Sequence, residues 1–77
     1  MVKIFRFPAS RSVPHPQGGA RFTCERFDTE AAENKINSIL DGCKIDSISV
    51  TPVVARRHNN GGYDDVDLVY TVVYEMK

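Results

Sequence analysis

What the chain lacks narrows its class first. It has only two cysteines, Cys24 and Cys43, in 77 residues. They are too few and too ill-spaced for a secreted disulfide scaffold or a zinc ribbon. Two half-buried thiols in a reducing cytoplasm are the expected state. No stretch approaches the roughly eighteen consecutive apolar residues that a membrane span needs. The opening Met1-Val2-Lys3-Ile4-Phe5-Arg6 is charged and has no long apolar core, so no secretory leader is expected. Net charge is zero, which argues against nucleic acid as the partner, since such domains are usually basic overall. A domain of this size buries only roughly 60% of the surface its unfolded chain exposes. With metal and disulfides set aside, self-association is the expected source of further stability, and a homo-oligomer the expected state.

What is present is a pattern of period two. Val66, Leu68, Tyr70, Val72, Tyr74 and Met76 alternate with a mostly polar set, which predicts a strand over residues 64–77 with one buried face. Val69 and Val73 break the polar parity, so part of the second face is expected to be covered as well. Residues 1–7 read as a first strand with both faces apolar. Residues 8–20 hold three prolines and two glycines, which predicts a long loop rather than helix or regular strand. Residues 21–27 read as a second strand that could form a hairpin with the first.

One helix follows. Asp28 or Thr29 can cap it, with Glu30 and Glu33 at the positive end of its dipole. Ala32, Ile36, Ile39, Leu40 and Cys43 form one apolar stripe, and Gly42 supplies a left-handed stop. Residues 44–57 read as a third strand, whose Pro52 predicts an edge position or a bulge. Asn60-Gly61 is a strong hairpin signal before the last strand. The expected fold is a single small α+β domain of ββαββ order, with one helix packed on a mostly antiparallel sheet.

Three segments carry a family resemblance: Ile36-Asn37-Ser38-Ile39-Leu40 in the helix, Lys44-Ile45-Asp46-Ser47-Ile48 opening a strand, and Val69-Tyr70-Thr71-Val72-Val73-Tyr74-Glu75 at the end. Residues 33–75 resemble small sporulation-type proteins of Gram-positive bacteria and their phages. That resemblance implies a small, single-domain, non-catalytic protein. The Pro/Gly-rich segment and the Arg-Arg-His-Asn-Asn-Gly-Gly run depart from the family's pattern, and a specialised task is expected there.

The second departure gathers Arg56, Arg57, His58, Asn59 and Asn60 before two glycines. Guanidinium forks pair with phosphate or carboxylate, and glycine lets a ligand approach the backbone. Alternatively, Arg56 and Arg57 simply pair with Asp64, Asp65 or Asp67 across the hairpin. The Pro/Gly-rich loop adds Arg11 and His15 as donors, or else is a disordered tip. If both loops face one side they form one pocket, in which Tyr63 offers a flat face for a base.

Other chemistries fit less well. His58 with Asp64, Asp65 and Asp67 matches no zinc or calcium loop, so no metal or cofactor is expected. No nucleophile motif surrounds Cys24 or Cys43, so no catalytic residue is expected. Asp65 and Asp67 read as a solvated edge that blocks aggregation. Residues 1–27 carry five basic side chains against Glu25, whereas residues 28–47 are mainly acidic. Phe and Arg in Phe5-Arg6-Phe7 fall on opposite faces, Phe toward the helix and Arg toward solvent, which argues against an RNA-stacking sheet.

Together these features predict a non-enzymatic, self-associating, cytoplasmic binding protein of bacterial or phage origin. Its expected ligand is anionic and nucleotide-like, and a phage could use such a protein to sequester a host defence signal. A protein-interaction or inhibitor module and a nucleic-acid-binding regulator are the alternatives.

Overall fold

The strand predicted from alternating Val, Leu and Tyr is the spine of the protein. The computed structural model describes residues 1–15, 18, 21–58 and 62–77. Its elements are β1 (Val2–Pro14), β2 (Phe22–Arg26), α1 (Thr29–Ile39), β3 (Cys43–Arg56) and β4 (Asp65–Met76). All pairings are antiparallel, in the order β2-β1-β4-β3. β4 is therefore internal, as an apolar strand needs to be, and Pro52 lies on edge strand β3.

The ββαββ order matches the sequence reading, but the α+β class does not. Strands take 63% of the described residues and the helix 16%, so the protein is mostly antiparallel sheet. Much of the difference lies in residues 8–14, where proline content predicts a loop and β1 instead runs on to Pro14. Pro8 is tolerated because it falls at a register shift between Pro8 and Ser10, where the ladder is already interrupted. Pro14 is the last residue of the strand. The Asn60-Gly61 turn lies outside the described residues.

β1 changes partner along its length. Its first part, from Val2 to Ser10, pairs with β4, and its second part, from Ser10 to Pro14, pairs with β2. The stagger draws the sheet out to 54 × 20 × 11 Å. Its radius of gyration, 16.0 Å, exceeds the roughly 11–12 Å of a compact domain of this length.

One face of the sheet carries the helix. Asp28 caps it by accepting from the Glu30 N–H at 2.9 Å, and Gly42 adopts the left-handed φ of 82° just beyond its end. Ile36 and Leu40 drop onto Phe5, Tyr70 and Val72 to make a core of five buried residues. Ile39, assigned to the same stripe by spacing, is 49% exposed. It is the last helical residue and lies to the side of the buried line set by Ile36 and Leu40. With so small a core, Ile36→Ala is expected to cost about 2–5 kcal/mol through the cavity it leaves. Exposed Asn37→Ala should change stability by less than about 0.5 kcal/mol. Urea unfolding of both variants checks this, and equal losses would place the helix in a different rotation.

Candidate functional site

The two hairpins meet at one end of the sheet, and polar side chains join them there. Asp67 lies on the helix-free face of β4 and is only 7% exposed. Arg6 Nε donates to its Oδ2 at 2.6 Å, and Arg11 Nη2 donates to its Oδ1 at 2.5 Å. The other arm of the Arg11 fork donates to the carbonyls of Ser10 at 2.8 Å and Val66 at 3.0 Å. One carboxylate thus takes up two guanidinium groups, as charge-assisted pairing allows. Their hydrogen bonds, Arg11's first, hold the Asp67 carboxyl below its ordinary value.

A second network lies one strand position away. Asp65 Oδ1 accepts from the Ser12 backbone N–H at 2.8 Å, and His58 Nε2 lies 3.2 Å from the same oxygen. The Ser12 N–H is the main cause that lowers the Asp65 carboxyl, with His58 adding to it. The Tyr63 N–H donates to Ser12 Oγ at 3.2 Å. A Cβ at Gly62 would stand 3.0 Å from both His58 Cβ and Ser12 Oγ, so only glycine fits there without a shift. Phe22 of β2 packs beside the His58 ring at 6.3 Å between centroids.

The predicted site residues are therefore partly assembled and partly reassigned. The meeting of the two loops, conditional in the sequence, is present through Ser12, Tyr63 and Asp65. Arg11 and His58 are tied down inside this junction. Tyr63 is 52% exposed beside it. His15 sits farther out, where its backbone N–H donates to the Arg21 carbonyl at 3.0 Å. Asn59 and Asn60 lie outside the described residues.

Arg56, the last residue of β3, and Arg57 are both exposed. Among the described residues neither side chain makes a hydrogen bond or an ion pair. The cross-hairpin pairing with Asp65 or Asp67 is thus replaced by other partners for those carboxylates. Asp65 and Asp67 are also not a solvated edge, because β4 is internal and β1 brings Arg6, Arg11 and Ser12 against them. The clue in the sequence was the surplus of basic residues before position 28, which needed acidic partners from elsewhere.

Among the described residues, no three His, Cys, Asp or Glu side chains group closely enough to hold a metal ion. No described helix is long and apolar enough to cross a membrane.

Because both carboxyls titrate below their ordinary value of 3.8 in the folded chain, the unfolded chain binds protons first on acidification. Their contribution is fully present above that value and is lost as pH falls through the folded pKa values. Urea midpoints are expected to hold between pH 7 and about pH 5 and to fall progressively below it. Asp67→Asn should lower the midpoint at pH 7 and shrink the difference between pH 7 and pH 3. An unchanged difference would mean that Asp67 is not held by the two guanidinium groups.

No family model, curated protein or solved structure matches this chain.

Proposed function

We propose that this chain is a non-enzymatic, self-associating binding protein that holds an anionic, nucleotide-like ligand at the junction of its two hairpins. The observation that carries the reading is the exposure of Arg56 and Arg57 beside carboxylates already engaged by Arg6, Arg11, Ser12 and His58. Two guanidinium forks free of internal partners among the described residues suit a phosphate or carboxylate. Tyr63, exposed at the same end, suits stacking on a base. In this reading Arg11 and His58 shape the site rather than close on the ligand.

A cytoplasmic phage or bacterial protein with such a site would act by sequestration, removing a nucleotide-derived defence signal without consuming it. The resemblance of residues 33–75 to small sporulation-type and phage proteins supports that origin. A second reading is favoured by β3, whose outer edge is unpaired and whose Ile48, Val50 and Val54 are nearly half exposed. That edge suits an interaction module that adds a partner's strand.

Calorimetric titration with mono-, di- and cyclic nucleotides separates the two. Replacing Arg56 and Arg57 by Ala should alter stability by less than about 0.5 kcal/mol, since both are exposed. Affinity should fall by about 2–5 kcal/mol if the ligand's charge is buried against them. Arg56→Lys should also weaken binding, because an ammonium lacks the bidentate fork. Undiminished nucleotide affinity in the double variant would remove this site from consideration.

A further inference from the structure

The sheet has two open edges among the described residues, and they differ in how far they are closed to further pairing. On β3 the outer edge carries Pro52, and its register shifts after Ile45 and after Val54. Proline and bulges interrupt the addition of a strand along such an edge. The other open edge is the first part of β1. β2 pairs only with Ser10 to Pro14, so Val2 to Pro8 have β4 on one side and no strand on the other.

Backbone hydrogen bonds fix which groups that edge presents. The Met1 ammonium donates to the Tyr74 carbonyl, and the Tyr74 N–H donates to the Met1 carbonyl, each at 2.8 Å. Along an antiparallel ladder such bonded pairs alternate with non-bonded ones. Lys3, Phe5 and Phe7 therefore turn their backbone groups toward β4, while Val2, Ile4 and Arg6 turn theirs outward. Val2 is 63% and Ile4 65% exposed. Arg6, the only charged residue of the three, is held by Asp67. An edge with open N–H and carbonyl groups and no proline among them is a template for another strand.

We infer that this edge is the self-association surface. A second copy lays its own residues 2–6 antiparallel against it, about a two-fold axis at Ile4, and joins the two four-stranded sheets into one. This rests on the self-association in the functional reading above and names its surface, without using the ligand site.

The edge is complementary to itself in one register. A two-fold axis uses one patch twice, and outward residues bond only to outward residues, so the axis lies level with a residue. At Lys3 it would set Lys3 on Lys3, and at Arg6 it would set Arg6 on Arg6, like charges directly opposed. At Phe5 it would set Val2 against Pro8, which has no N–H to give. At Ile4 it uses every outward N–H and carbonyl of Val2, Ile4 and Arg6 and opposes no like charges. Lys3 then stands opposite Phe5 of the second copy, the same kind of ammonium–ring contact that the two residues make within one chain.

The helix side of the same edge fits this register. On the flank of α1 away from β3 lies a groove lined chiefly by Phe7, Pro8, Phe27, Ala31 and Ala32. The axis at Ile4 brings Met1, 58% exposed, opposite Phe7 of the second copy at the mouth of that groove. Ile39 lies one helical turn beyond Lys35, which also lines the groove, so its exposed side chain flanks the same seam.

Mass by light scattering at tens of micromolar and amide hydrogen exchange by NMR test the inference. Wild type is expected at twice the 8.6 kDa chain mass, with the Ile4 and Arg6 amides exchanging slowly although they face away from β4. Ile4→Pro removes an N–H that no strand of the same chain uses, and Ile4→Lys sets like charges face to face on the axis. Both should give monomers that remain folded by circular dichroism, and in Ile4→Lys the Arg6 amide should exchange rapidly. Val50→Lys, at a 49% exposed position on β3, should remain dimeric, as should the Arg56/Arg57 double Ala variant. A monomeric wild type overturns both this inference and the self-association in the functional reading. A dimer whose Ile4 amide exchanges rapidly, or that persists in both Ile4 variants, or that dissociates in Val50→Lys, overturns this inference alone. Should either Ile4 variant fail to fold, exchange in the wild type decides. Nucleotide titration of the same samples reads the ligand site separately.

Discussion

The fold depends on one stitch, the Asp67 carboxylate between Arg6 and Arg11. β1 leaves β4 and takes up β2 at Ser10, and its ladder is broken by a register shift at the same point. Ser10 is paired on both sides, with Val66 of β4 and Arg26 of β2, and the β4 register skips only Ala9. Arg6 lies before the shift and Arg11 after it, and both reach Asp67. Arg11 also donates to carbonyls on both strands, at Ser10 and Val66. The two guanidinium groups thus add side-chain bonds to the spine on either side of the register shift. A largely shielded carboxylate with two partners is costly to break, because removing one side leaves the other charge uncompensated.

The candidate site follows from that stitch. Once Arg11 is anchored, Ser12 presents its N–H to Asp65 and its hydroxyl to Tyr63. The end of β4 is thereby tied to the β1–β2 hairpin, and His58 closes on Asp65 from the β3 side. Asp65 and Asp67 are engaged within the chain, whereas Asp64 is exposed in the connection. Arg56 and Arg57 stand beside them, exposed and without a side-chain partner among the described residues. The hydrogen-bonded part of the junction is built from Arg6, Arg11, Ser12, His58, Asp65 and Asp67, and the exposed arginines lie beside it.

Secondary structure was legible wherever one residue pattern dominated. The β4 alternation, the Asp28 cap and the Gly42 stop each describe local chemistry, and each is present in the structure. Residues 8–14 form strand against their proline and serine content, because that content is a local signal whereas the strand there is imposed by β4 on one side and β2 on the other. The Phe5-Arg6-Phe7 alternation was read correctly, with both rings under the helix and Arg6 on the open face. Ile39 satisfies the helical spacing but is half exposed, because Ile36 and Leu40 take the line that faces the sheet.

The sequence by itself determined the order of elements, the apolar face of the last strand and the cap and stop of the helix. Those properties reside in spacings of two to eleven residues, over which backbone geometry alone relates side chains. Only the tertiary structure decided which charges neutralise one another. Asp67 meets Arg6 and Arg11 across 61 and 56 residues of chain, and nothing in local spacing selects those partners over Arg56 or Arg57. The selection comes from β1 lying antiparallel beside β4, which brings early arginines to late aspartates. Arg56 stands opposite Asp65 in the β3–β4 ladder, yet that carboxylate is engaged by the Ser12 N–H and His58 instead.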